Sequence, residues 1–347
     1  MRKVLILADN MFTKEGFLSP AFAERFKRFE KYDVAFDVAE KSPYMDDEKW
    51  VLKIETQGPE WITPNNETME KISDAEVLVS HFAGISAKMI EDAKNLKLIG
   101  VMRSGVENVS MKQASAKGIK VVNAPGRVSE PVADFTVALI LAETRNLVRE
   151  SLNYTKGVWP IFDVNDTANT ALKNHTAGLI GFGMIGRKVA ARLKPFGVNV
   201  LAFDPYCSKE SAKEAGIELV SLEELLKQSD YVSMHARLSE DTKNLMGEKE
   251  FSLMKPTAIF INTARAGLVD EPALVKALQT KTIRSAALDV YSQEPLPEDH
   301  PLLKLENVTL TPHHAGATTD NQSNSTDIIL EELERYFSGQ ALKNVMN

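Results

Sequence analysis

Leu179-Ile180-Gly181-Phe182-Gly183-Met184-Ile185-Gly186 decides the reading of this chain. An apolar strand runs into G-x-G-x-x-G, and the helical pattern Arg187-Lys188-Val189-Ala190-Ala191-Arg192-Leu193 follows at once. Strand, glycine turn and helix in that order make the phosphate grip of a dinucleotide-binding unit. Gly181 permits the tight turn, Gly183 lets a pyrophosphate approach the backbone, and Gly186 lets helix and strand pack closely. The helix start adds free N–H groups and the positive end of its dipole.

The next apolar run ends at Asp204, eighteen residues past Gly186 (204 − 186). A carboxylate there accepts hydrogen bonds from the adenosine ribose hydroxyls and repels a 2′-phosphate. The expected cofactor is therefore NAD rather than NADP.

Outward from this loop, short Val- and Ile-rich runs alternate with helical patterns along nearly the whole chain, the mark of α/β folding with both sheet faces covered. Strands are expected near Val4–Ala8, Val34–Val38, Ala75–Ser80, Leu96–Met102 and Ile119–Asn123. A second series lies near Gly178–Gly181, Val198–Asp204, Tyr231–His235, Ala258–Asn262, Ser285–Val290 and Val308–Thr311. Two series in 347 residues imply two domains, each with a doubly wound parallel sheet.

Between them, Ser129 is expected to cap a helix with Pro131 in its first turn, continued by Val132, Phe135 and Leu139 to about Val148. It reads either as a domain connector or as an ordinary surface helix. A last helix carries Ile328, Ile329, Leu330, Leu333 and Tyr336, and follows the second sheet, so it can return to the first domain. The polar stretch 40–72 is too long for a plain loop and reads as a functional flap or a helical insertion.

Composition narrows the partners. A net charge of −7 gives no electrostatic attraction for nucleic acid or an anionic membrane. The one cysteine, Cys207, reads as a small residue beside a strand end; it allows no intrachain disulfide and fits a reducing compartment. The apolar run Val4–Ala8 is too short for a signal peptide, and no stretch approaches the roughly 20 apolar residues of a membrane span. A cytoplasmic protein is expected.

Three side chains then suggest chemistry. Arg265, Glu294 and His313 each follow a different expected strand, and in an open α/β sheet ligands bind outside the carboxyl ends of the strands. Hydride transfer to a 2-oxo acid needs a proton donor at the carbonyl oxygen and a cation for the carboxylate. Histidine suits the first task, and a carboxylate partner favours its imidazolium form. Arginine suits the second, because its planar fork pairs a carboxylate at two points. Neither H-x-x-x-H nor C-x-x-C occurs, so no metal site is expected.

These residues resemble the D-isomer-specific 2-hydroxyacid dehydrogenases, a family that includes phosphoglycerate, glycerate and D-lactate dehydrogenases. The likeness runs from Leu96 to Gly316. It rests on the glycine loop, Ile261-Asn262-Thr263-Ala264-Arg265-Ala266-Gly267-Leu268-Val269-Asp270-Glu271, Leu288-Asp289-Val290-Tyr291-Ser292-Gln293-Glu294-Pro295 and Leu310-Thr311-Pro312-His313. The resemblance implies Arg265 as substrate-binding arginine, His313 as acid/base and Glu294 as its partner. It also implies that Met184, Ile185, Asp204, Ala236, Thr263, Ala264, Asp289 and His313 to Gly316 contact NAD, with Asp289 facing the nicotinamide carboxamide.

The implied architecture is a Rossmann NAD domain (124–317) inserted into a flavodoxin-like substrate domain (1–123), to which the helix of 318–347 returns. Homodimers are implied, with Pro131 to about Trp159 resembling the dimerisation arm. The family's carboxylate loop, R-x-G-x-G-x-D-N-[IV]-D, is here the shorter Arg103-Ser104-Gly105-Val106-Glu107-Asn108-Val109-Ser110, and Val128 stands where Asn is frequent. The Ser104, Gly105 and Val106 backbone is expected to hold the substrate carboxylate as an anion nest. His81 reads with equal weight as a strand-end histidine or a pocket residue. The expected function is reversible oxidation of a small 2-hydroxy acid (phosphoglycerate-, glycerate- or glyoxylate-like). The rivals are an NAD-sensing corepressor on the same fold and an enzyme of formate or phosphite.

Overall fold

A computed structural model describes residues 2–41, 50–159 and 170–347. The chain divides into two compact units, Met1–Arg127 with Thr319–Asn347, and Val128–Thr318. The first boundary falls after Arg127 rather than after Asn123. Ala124 is buried in the first core and its N–H donates to the Arg103 carbonyl at 2.8 Å, so the chain stays with the first sheet beyond its last strand.

The first unit holds β1 (Arg2–Leu7), β2 (Val34–Ala39), β3 (Val77–Ser80), β4 (Leu98–Val101) and β5 (Lys120–Asn123). All pair in parallel in the order β2-β1-β3-β4-β5, the flavodoxin-like arrangement. Strands β3 and β4 are buried at every position, which is why they read as unbroken apolar runs. The helix Asp320–Ser338 lays Ile329, Leu330, Leu333 and Phe337 on one face of the sheet, against Val4, Val77, Val79 and Leu98. On the other face lie Trp50, Ile54 and Ile62 from the 40–72 stretch, packed with Leu78, Ile99 and Val121. That stretch is a helical insertion, Trp50–Gln57 and Asn66–Ile72, with residues 42–49 outside the described ones.

The second unit holds β6 (Thr176–Ile180), β7 (Asn199–Phe203), β8 (Glu218–Leu219), β9 (Tyr231–Met234), β10 (Ile259–Asn262), β11 (Ser285–Leu288) and β12 (Val308–Leu310). Their order β12-β11-β10-β9-β6-β7-β8 is the doubly wound Rossmann order with one further strand at the β11 edge. Strand β8 has no counterpart among the sequence expectations, since two residues at a sheet edge leave no periodic signal.

The helix after the boundary is Ser129–Thr144, with Val128 rather than Ser129 at its N-cap. It ends at Arg145, Asn146 turns into the left-handed region (φ +52°), and a new helix runs Leu147–Thr155. It is no spacer. Ala133, Val137 and Ile140 pack with Val189 and Ala190 of the glycine-loop helix and with Ile259, Ile261 and Ala287 of the sheet.

Candidate active site

The glycine loop leaves β6 and opens the helix Met184–Leu193. Gly181 has φ +99°, and a Cβ there would stand 2.5 Å from the Ala236 nitrogen, so no other residue fits. A Cβ on Gly186 would strike the Gly181 carbonyl oxygen. At Gly183 a Cβ would meet nothing within 4 Å, so the space above the helix start is open. Open space over unsatisfied N–H groups fits a diphosphate. Met184 and Ile185 follow in the first turn, Met184 exposed.

Asp204, at the end of β7, is fixed by two backbone donors. Phe182 N–H donates to Oδ2 and Tyr206 N–H to Oδ1, each at 2.8 Å. Each oxygen keeps a lone pair for a ribose hydroxyl. The carboxylate therefore also braces the loop. Ala236 stands against Gly181, and Thr263 shares a 2.8 Å hydrogen bond with Thr136 of the helix Ser129–Thr144. Gly316 packs against Val128 and Val132.

The three catalytic candidates lie at the ends of adjacent strands. Arg265 follows β10, is exposed, and donates through Nη1 to the Ala264 carbonyl at 2.7 Å. Asn262 holds that turn from both sides, donating to the Arg265 carbonyl and accepting from Ala264 N–H, each at 3.0 Å. Glu294 comes after β11; its Oε1 accepts from Tyr291 N–H at 3.0 Å and its Oε2 pairs with His313 Nδ1 at 2.8 Å. His313 Nε2 makes no hydrogen bond among the described residues. His313 sits after β12 with φ +57°, an uncommon conformation for a side-chain-bearing residue and one seen where a site over-determines the backbone.

Asp289 enforces that backbone. It is fully buried; Oδ1 accepts from Thr311 Oγ1 at 2.5 Å and His314 N–H at 3.0 Å, and Oδ2 from Ala315 N–H at 2.8 Å. Tyr291 Oη lies 2.7 Å from the Thr311 carbonyl and pins the same loop. The bracing by Asn262, Asp289 and Tyr291 was absent from the sequence reading. A strand-end Asn two residues before Ala264 carried the one local signal, that of a side chain bonding the backbone two residues on. Beside the pair opens a largely apolar cavity of about 520 Å³, lined by Glu294, His313, Tyr291, Pro295, Leu296 and Leu303.

In the first unit, His81 is buried at the end of β3. Its Nδ1 lies 3.2 Å from Asp9 Oδ2 and its ring stacks on Phe12 at 3.9 Å. Burial holds its pKa below the ordinary value, against the pull of Asp9. Ser104 Oγ lies 3.4 Å from the Ala124 carbonyl oxygen, and Val106 is half-buried. The Glu107 carboxylate folds over Gly105, so a substrate carboxylate bound to the Ser104–Val106 backbone has to displace it.

Residues 137–315 match the family model of the D-isomer specific 2-hydroxyacid dehydrogenase NAD binding domain. The chain is 41% identical over 283 residues to a D-3-phosphoglycerate dehydrogenase of Methanocaldococcus jannaschii, covering 81% of this chain and 53% of that protein, so it spans about half the length of that relative. It is 38% identical over 281 residues to a glyoxylate reductase of Korarchaeum cryptofilum, covering 80% of this chain and 85% of the relative. The NAD-complexed D-isomer specific 2-hydroxyacid dehydrogenase of Lactobacillus delbrueckii ssp. bulgaricus superposes with a TM-score of 0.79 over 99% of this chain and 100% of that one; at 24% identity the likeness is one of fold. The chain thus belongs to the D-isomer specific 2-hydroxyacid dehydrogenase family, NAD-linked oxidoreductases of the CH–OH group.

Proposed function

We propose that this protein is an NAD-dependent D-2-hydroxyacid dehydrogenase that interconverts a small 2-hydroxy acid and its 2-oxo acid, of the glycerate, phosphoglycerate or glyoxylate kind. The observation that carries the reading is the 2.8 Å pairing of Glu294 with His313 Nδ1, on the same sheet edge as the glycine loop. NAD, held at Gly181–Gly186 and Asp204, supplies hydride acceptance and donation. His313 Nε2 takes the hydroxyl proton in oxidation and returns it in reduction, and Glu294 stabilises the imidazolium so formed. Arg265 grips the carboxylate and polarises the C=O.

Absorbance of NADH, followed with glyoxylate, hydroxypyruvate, its 3-phosphate and pyruvate, tests the reading. Turnover of at least one is expected, with kcat/KM lowered at least about a hundredfold in His313→Asn and Arg265→Ala. Tight NADH binding without turnover would replace the enzyme by an NAD-sensing protein.

Two further parts of the reading concern assembly and place. The helix Leu147–Thr155 buries none of its residues, and Leu147, Leu152, Tyr154, Val158 and Trp159 of this segment are exposed, which supports a homodimer formed through it. The net charge of −7 and the single cysteine support a cytoplasmic protein with a small-molecule partner, and no described helix is long and apolar enough to cross a membrane.

A further inference from the structure

We propose that Glu271, together with Ser292 and His300, positions the Glu294 carboxylate against His313. The proposal rests on the dehydrogenase reading and deepens it, because the three act on the reaction only through Glu294.

Glu271 opens the helix Glu271–Gln279, where a carboxylate ordinarily serves the helix start. Asp270 already fills that task, accepting from Ala273 N–H at 3.1 Å. Both oxygens of Glu271 turn instead to the chain that follows β11. Oε1 accepts from Ser292 Oγ at 2.7 Å and lies 3.2 Å from His300 Nε2. Oε2 accepts from Ser292 N–H at 3.3 Å. The Glu271 side chain is 19% exposed and that of His300 16%, so the tie is largely shielded from water. His300 is anchored in turn. Its Nδ1 accepts from Leu302 N–H at 3.3 Å, and Leu302 is fully buried in the second unit's core. With Nδ1 accepting, the neutral ring carries its proton on Nε2 and donates it to Glu271.

Glu271 therefore closes the segment 292–300 at both ends, and Glu294 lies inside that segment. Ser292, Gln293, Glu294 and Pro295 are all exposed, so core packing does not fix the backbone that carries Glu294. Polar ties fix it. On one side Tyr291 is held through Oη by the Leu288 and Thr311 carbonyls, at 2.9 and 2.7 Å. On the other side stand Ser292 and His300, both bonded to Glu271. A cluster of this kind is ordinarily a tie that only stabilises the fold. Here the tied segment carries one partner of a single 2.8 Å bond, the one between Glu294 and His313. A displacement of about 1 Å at Glu294 would stretch that bond, and misplacement on this scale costs up to about a hundredfold in rate.

The test is a double-mutant cycle read on kcat with the best 2-oxo acid. Glu271→Ala is expected to lower kcat about tenfold and Ser292→Ala about threefold, with both KM values changed less than about twofold. Ser292→Thr, which keeps the hydroxyl, should recover most of the loss seen in Ser292→Ala. In a Glu294→Ala background there is no carboxylate left to position, so Glu271→Ala should then cost less than about twofold. The same tenfold loss in both backgrounds, or a loss carried by KM, overturns the proposal. If Glu271→Ala fails to fold, Ser292→Ala runs the same cycle with the same two outcomes. If the wild type turns over no 2-oxo acid, the dehydrogenase reading fails, and the positioning is read from the reactivity of His313. The rate at which diethyl pyrocarbonate modifies His313 is followed by mass spectrometry, with His313→Asn as the blank. Glu271→Ala and Glu294→Ala should shift that rate in the same direction, each by at least about threefold. A wild-type rate in Glu271→Ala overturns the proposal.

Discussion

Glu294 Oε2 stands 2.8 Å from His313 Nδ1, and that single bond decides which imidazole nitrogen is free to meet a reacting oxygen. The partner is itself held, because the other oxygen of Glu294 accepts from Tyr291 N–H. The orientation of the histidine therefore depends on the loop after β11 as much as on its own strand.

Replacing Glu294 by Gln keeps the shape of this contact and removes its charge. The imidazolium formed during oxidation then loses its counter-charge, and kcat/KM should fall about tenfold to a hundredfold, carried mostly by kcat. Steady-state kinetics with the best 2-oxo acid checks this. Wild-type rates would remove Glu294 from the mechanism.

Asp204 carries two duties, so its loss should show twice. In Asp204→Ala the preference for NAD over NADP is expected to drop at least about tenfold, and NAD affinity should weaken as well, since Phe182 N–H loses its acceptor. Titration of protein fluorescence with both reduced cofactors measures the two effects separately. An unchanged NAD/NADP ratio would show that discrimination lies elsewhere.

Stability should depend on pH through His235, whose pKa burial pulls down to about 4. The unfolded chain binds a proton near pH 6.5, while the native state stays neutral until about pH 4. Stability is thus level above pH 6.5 and falls as the pH drops through this window, by on the order of 2–3 kcal/mol. The lowered pKa of buried His81 acts in the same direction. Urea midpoints at pH 7, 6, 5 and 4.5 should trace the decline, and His235→Gln should flatten part of it. Equal slopes in both proteins would assign the effect to other groups.

What could be read from the chain beforehand follows the range of each signal. The glycine loop, the buried strands and the trio Arg265, Glu294 and His313 are local patterns, each set by a strand end and a few residues after it. The bracing of His313 by Asp289 was hidden, because it needs β11 and β12 to lie side by side. The break at Asn146 was missed because apolar spacing continues through it in Leu147 and Val148. Glu107 folding over Gly105 has no sequence signature at all.

Arg265, Glu294 and His313 all belong to the second unit, stitched together by Asp289 N–H donating to the Asn262 carbonyl and Thr311 N–H to the Leu288 carbonyl. Under the proposed function the proton chemistry is inherited as one block, 262–313, whose parts hold one another through the backbone. Exchange of that whole block between relatives should carry the reaction with it, whereas exchange of a single strand end should not.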